Sequence, residues 1–101
     1  MNKKYLLYVD DERICPYLLP DAELVVVRNY KDAIEFLGQH RDGNVIIDLD
    51  HDLGEEKTGY DICKFIIENE IPLLGYILHT MNPVGMLNMN QLLSHYGYAH
   101  H

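Results

Sequence analysis

Four short apolar runs recur along the chain, and amphipathic stretches separate the last three of them. Lys3 to Val9 is a basic start followed by Tyr5-Leu6-Leu7-Tyr8-Val9, which reads as a first buried strand. Glu23 to Arg28 is β-branched and reads as a second strand. Asn44 to Asp50 contains the continuous run Val45-Ile46-Ile47, the signature of a strand buried on both faces of a parallel sheet. Leu74 to Leu78 is a fourth. Between the second and third, Tyr30 to His40 sets Ala33, Ile34 and Leu37 on one helical face, with Gly43 past its end. Thr58-Gly59-Tyr60-Asp61 resembles a capping box with Asp in place of the usual Glu, opening a helix that turns Ile62, Phe65 and Ile66 inward. Asn82-Pro83 offers an N-cap and a first-turn proline for a last helix running to about Tyr96, with Met86, Met89, Leu92 and Leu93 on its apolar side. Pro16 and Pro20 restrict the link between the first two strands to a helical turn or a loop.

Strands alternating with helices predict an α/β layer fold with right-handed crossovers. The expectation is one domain over residues 1–101, with a three-layer arrangement and a parallel sheet of about four strands in the order 2-1-3-4. No fifth strand is recognisable, so the edge beside strand four calls for dimerisation, as a homo-oligomer, or for another cover.

Ligands of such sheets bind beyond the carboxyl ends of the strands. Here those ends are unusually rich in chemistry. Asp10-Asp11-Glu12-Arg13 follows strand one, Asp50-His51-Asp52 follows strand three, and His79-Thr80 follows strand four. Neighbouring strands lie about 4.8 Å apart, which gathers Asp10, Asp11, Asp50 and Asp52 at one edge. Two like charges ~4 Å apart repel by about 4 kcal/mol at an effective dielectric near 20. Such a cluster holds a cation, shares a proton or splays into water as a solvated acidic loop. Asp10, Asp11, Asp50 and Asp52 are the expected metal ligands; hard oxygens suit Mg²⁺, and histidine nearby admits Mn²⁺ or Zn²⁺. Asp48 shares a strand face with Asp50 and needs a partner if buried, but is placed outside the ligand set.

Composition narrows the partners. Sixteen acidic residues against eight basic ones give a formal charge of −8, a field that repels polyanions and argues against double-stranded DNA. A small phosphorylated ligand at one local site remains compatible with it. Cys15 and Cys63 sit in no zinc or redox spacing, and the longest near-apolar stretch, Ile71 to Leu78, is too short to span a bilayer. Those features predict a cytoplasmic chain with reduced thiols and no membrane partner. His40, His95, His100 and His101 are expected at the surface, and the closing Ala99-His100-His101 is assigned no function.

The acidic pair Asp10-Asp11, Asp50 at the end of strand three and Thr80 at the end of strand four resemble a receiver domain of two-component signalling, a flavodoxin-type fold. The closer resemblance is to an offshoot, the cyclic-phosphate processing receiver-like family. It is carried by Tyr8-Val9-Asp10-Asp11-Glu12-Arg13, Leu49-Asp50-His51-Asp52-Leu53-Gly54, Thr58-Gly59-Tyr60-Asp61 and His79-Thr80-Met81-Asn82-Pro83-Val84-Gly85. The lysine that receivers place on a fifth strand has no counterpart, which counts against phosphorelay signalling through Asp50.

This resemblance implies processing of a cyclic phosphate on a small nucleotide or on an RNA end. Hydrolysis of such a diester needs a base for water and an acid for the departing ribose oxygen. His51 and His79, leaving adjacent strands and expected to face each other, could divide those roles beside Asp50 without a metal. With a metal, the ion would polarise the phosphoryl group and supply hydroxide. Arg13 offers a bidentate phosphate contact, or neutralises Asp10 or Asp11. Thr80 and Asn82 offer hydrogen bonds to substrate, Asn82 equally a plain helix cap. A non-catalytic module that sequesters a nucleotide and a degenerate phospho-accepting receiver are the competing readings.

Overall fold

The structure is a computed structural model and describes residues 3–101. Its elements are β1 (Lys4–Val9), β2 (Ala22–Val27), α1 (Tyr30–Gln39), β3 (Val45–Leu49), α2 (Gly59–Glu68), β4 (Gly75–Leu78) and α3 (Pro83–His95). All four strands are parallel, in the order β2-β1-β3-β4. The chain therefore has the receiver-like α/β topology, with β1 and β3 adjacent at the switch point.

The helix starts follow from local chemistry. Asn29 caps α1 by accepting from the Asp32 amide at 2.8 Å. The Asp61 carboxylate accepts from the Thr58 amide at 2.8 Å, so the Asp variant of the capping box closes at α2. Asn82 accepts from the Gly85 amide at 2.9 Å, with Pro83 in the first turn of α3.

Strand parity divides the sheet into two unlike faces. Leu7 and Val9 of β1 and Val45, Ile47 and Leu49 of β3 meet Ala33 and Leu37 of α1, Ile62, Cys63 and Ile66 of α2, and Met89 and Leu93 of α3. All three helices thus lie side by side on one face, around one apolar core. On the opposite face Leu6, Tyr8, Ile46 and Asp48 are also buried, yet no helix among the described residues covers them. Their cover is the extended segment 10–21, which lays Tyr17 on Asp48 and Leu19 and Pro20 beside Ile46. The third layer of this fold is irregular chain, as the two prolines of that segment require.

Near its N-terminal end the edge of β4 is met by the chain's own tail. Tyr76 donates its amide to the Ala99 carbonyl at 3.0 Å and accepts from the His101 amide at 2.9 Å, a one-residue parallel bridge. Ala99-His100-His101, assigned no function from sequence, cover this stretch of edge. Met86, expected on the apolar side of α3, faces outward at 36% exposure, whereas Met89 is buried. No helix among the described residues is long and apolar enough to cross a membrane.

Candidate functional site

Register brings the three strand exits level. Val9 pairs with Leu49 and Leu49 with Leu78, and the ladder continues one residue further. The Asp50 amide donates to the Val9 carbonyl at 3.0 Å, and the His79 amide to the Leu49 carbonyl at 2.9 Å. Asp10, Asp50 and His79, the residues next in line, therefore sit abreast, each with a ligand atom within 4.8 Å of the others. Asp10 is fully buried and Asp50 only 9% exposed. Asp10 Oδ1 accepts from the amides of Glu12 and Arg13 at 3.0 and 2.9 Å, which leaves Oδ2 for the cluster.

His79 is held on three sides. Nε2 lies 2.9 Å from Asp10 Oδ2, Nδ1 is hydrogen-bonded to Asp48 Oδ1, and the ring stacks on Tyr8 with centroids 4.5 Å apart and planes 7° from parallel. Burial disfavours its charged form, but the bonds and charge of Asp48, the bond to Asp10 and the charge of Asp50 outweigh that and raise its pKa above the ordinary histidine value. Burial likewise pushes the Asp10 carboxyl upward, but the Glu12 and Arg13 amides together with His79 prevail and lower it.

A second group lines the open side of the cluster. Asp11, Glu12, Arg13, Asp50, Asp52, Gly54, Thr80 and Met81 enclose a shallow cavity of about 290 Å³. His51 stands next to it, with Nδ1 3.0 Å from Asp52 Oδ1. In the tautomer with its proton on Nδ1 the ring donates to Asp52 and keeps a lone pair on Nε2, which has no hydrogen-bond partner among the described residues. Two glycines seat this part of the site. Gly59 donates its amide to the His51 carbonyl at 2.7 Å, and a Cβ there would collide with the Asp50 carbonyl. A Cβ on Gly85 would meet the His51 ring at 2.5 Å, so only glycine lets α3 start against the imidazole.

A family model described as the cyclic-phosphate processing receiver domain matches residues 5–95. The chain belongs to that family. No curated protein and no solved structure matches it.

In this cyclic-phosphate processing receiver domain the expected site residues take up distinct places. Asp10 and Asp50 join the metal-capable cluster with His79 as the third member, while Asp11 and Asp52 line the cavity in front of it. His51 and His79, expected to face one another, have no hydrogen-bond partner in common: His51 is bonded to Asp52, His79 to Asp10 and Asp48. Arg13 lines the cavity, and its guanidinium forms no ion pair among the described residues. Arg28 instead ties the loop, donating to the carbonyls of Asp10 at 3.0 Å and Arg13 at 2.6 Å. Thr80 Oγ1 accepts from the Asn82 amide at 3.1 Å. Asn82 caps α3 and places Nδ2 3.4 Å from His51 Nδ1.

The residues fit a divalent cation. Three carboxylates, Asp10, Asp48 and Asp50, surround a single imidazole, an excess of negative charge in a partly buried place. Adjacent ligands about 2.1 Å from an octahedral ion stand about 3.0 Å apart, close to the 2.9 Å between Asp10 Oδ2 and His79 Nε2. The side chain of Asp50 makes no hydrogen bond among the described residues and borders the open cavity. Sequence reasoning left two participants out. Asp48 carried a signal, a carboxylate inside an apolar strand, but Tyr17 carried none, because a tyrosine between two prolines has no pattern that says what it will touch.

Proposed function

We propose that this receiver domain hydrolyses a cyclic phosphate on a nucleotide or an RNA end, at the carboxyl edge of β1, β3 and β4. The observation that carries this reading is the juxtaposition of the Asp10, Asp50 and His79 cluster with a cavity lined by Arg13, whose guanidinium has no ion pair among the described residues. Arg13 presents a planar fork of donors suited to the two non-bridging phosphate oxygens. His51 has Nδ1 directed at Asp52 and Nε2 free, the arrangement of a base that takes a proton from water. As the water oxygen bonds to phosphorus, the bond from phosphorus to one ribose oxygen breaks, and that oxygen leaves as a hydroxyl after taking a proton. Asp10, Asp50 and His79 are the residues to hold Mg²⁺ or Mn²⁺, which when bound supplies polarisation of the phosphoryl oxygen. In a metal-free version His79, whose proton is held to higher pH by its carboxylate partners, donates to the leaving oxygen. Among the described residues no lysine lines the cavity, which supports this chemistry over phosphoryl acceptance by Asp50.

The test is turnover of 2′,3′-cyclic mononucleotides, cyclic dinucleotides and cyclic-phosphate-ended RNA with EDTA, Mg²⁺ or Mn²⁺. The expected result is a monoester product that is lost in His51→Ala and Asp50→Ala, and EDTA separates the two versions. Tight binding with no product would overturn hydrolysis and make the domain a sequestering module.

A further inference from the structure

Asp48 is out of place by composition. It sits in β3 among Val45, Ile46, Ile47 and Leu49, at 1% exposure, the one charged residue of an otherwise apolar strand. A buried carboxylate is costly unless partnered, and replacing a buried polar network by well-packed apolar groups is often neutral or stabilising. Stability alone therefore gives little reason for it. Its partners give a better one. Oδ2 accepts from the Tyr17 hydroxyl, and Oδ1 is bonded to Nδ1 of His79. Neither Asp48 nor Tyr17 lines the cavity; Asp48 bonds the ring directly, and Tyr17 reaches it only through Asp48.

We propose that Asp48 and Tyr17 are positioning residues that keep the proton of His79 on Nδ1 and so turn the Nε2 lone pair toward a divalent cation held with Asp10 and Asp50. A metal-ligating histidine commonly donates its other ring N–H to a carboxylate, which fixes tautomer and orientation and raises ligand basicity. Here Tyr17 anchors the carboxylate in turn, and Tyr8 fixes the plane of the ring. With a cation held there, Nε2 would carry no proton, and Nδ1 would keep its own, donated to Asp48. Tyr17 is contributed by the extended segment 10–21, so that segment becomes part of the metal site without contributing a ligand from its tyrosine. The inference rests on Asp10, Asp50 and His79 forming one cation site, and it does not depend on hydrolysis.

The experiment is calorimetric titration of the whole chain with Mn²⁺ alone, together with ¹⁵N spectra of the His79 ring in the metal-free protein under alkaline conditions, where the ring is neutral. Wild type is expected to bind Mn²⁺ and to carry its ring proton on Nδ1. Asp48→Asn is expected to weaken Mn²⁺ by roughly 10–100-fold and to move ring protonation toward Nε2. Tyr17→Phe, which removes only a hydroxyl and serves if Asp48→Asn does not fold, is expected to weaken Mn²⁺ several-fold in the same direction. Unchanged affinity and unchanged ring shifts in a folded variant would overturn the proposal. Failure of wild type to bind Mn²⁺ at millimolar concentration would also overturn it, while metal-free turnover of a cyclic phosphate would still leave the hydrolytic reading standing.

Discussion

The two faces of the sheet are built on opposite principles. Toward the helices the core is apolar apart from the Tyr76 hydroxyl, which donates to Asn90, and among the described residues fifteen buried side chains from strands, loops and helices form one cluster. Toward the segment 10–21, the same strands present Tyr8 and Asp48, and what covers them is a tyrosine hydroxyl and an imidazole. The first face is held by shape and dispersion, which tolerate no void. The second is held by directed hydrogen bonds whose worth depends on every member being satisfied. One parallel sheet thus separates the work of holding the fold from the work of holding charged groups in place, and Asp10, Asp50 and His79 lie at the rim where the two meet.

Truncation on the helical face gives the largest effect. Ile47→Ala removes a fully buried side chain from the core and is expected to lower unfolding free energy by about 2–5 kcal/mol in urea titration. Mn²⁺ affinity of the folded fraction should not change. Gly85→Ala comes next. Its methyl would meet the His51 ring at 2.5 Å, so the variant should lose about 1–3 kcal/mol and most turnover, again with Mn²⁺ binding retained. A Gly85→Ala protein with normal turnover would show that His51 can move without consequence.

The polar face should also be the one that feels pH. The pKa of His79 is raised in the fold, so its contribution to stability of the EDTA-treated protein is complete below the unfolded value near 6.5 and is lost as pH rises through the folded value. Asp10 is lowered, so its contribution is present above the unfolded value of 3.8 and is lost as pH falls through the folded one. Melting temperature against pH should therefore fall at both ends, and His79→Gln should flatten the alkaline side. The smallest effect belongs to the sealed face. Burial pushes the Cys63 thiol up to about 12, so it should resist a thiol reagent at pH 8 until the protein unfolds, while part-exposed Cys15 reacts in the native state.

How far these two faces could be read from sequence differs in the same way. The helical face is legible because it follows from period: apolar runs locate the strands, the i, i+3, i+4 spacing locates Ala33 and Leu37 or Ile62 and Ile66, and Thr58 and Asn82 cap the helices they precede. Parallel topology then aligned the strand exits, which put Asp10 and Asp50 side by side from chain order alone. The polar face was legible only in its ingredients. Asp48 announced a need for a partner, but which group would come depended on how segment 10–21 folds back, and no periodicity governs that. His79 was placed opposite His51 because both follow adjacent strands. Its ring stacks on Tyr8 and is hydrogen-bonded to Asp48 and Asp10, partners that chain order alone does not single out. The tail against β4 was hidden for a similar reason: a single bridge at Tyr76 leaves no strand-like run in the sequence.

The most direct test of the account is the rate at which wild type and Asp50→Ala open a 2′,3′-cyclic phosphate at the end of a short RNA, each with Mn²⁺ and with EDTA. The Asp50 side chain makes no hydrogen bond among the described residues, and its backbone bond to Val9 survives in alanine, so the variant should unfold like wild type. The account predicts a phosphomonoester product from wild type and a loss of at least roughly 100-fold in Asp50→Ala, as for removal of a group at the reacting centre. Equal rates in two folded proteins, or no product from wild type on any cyclic phosphate, would contradict it.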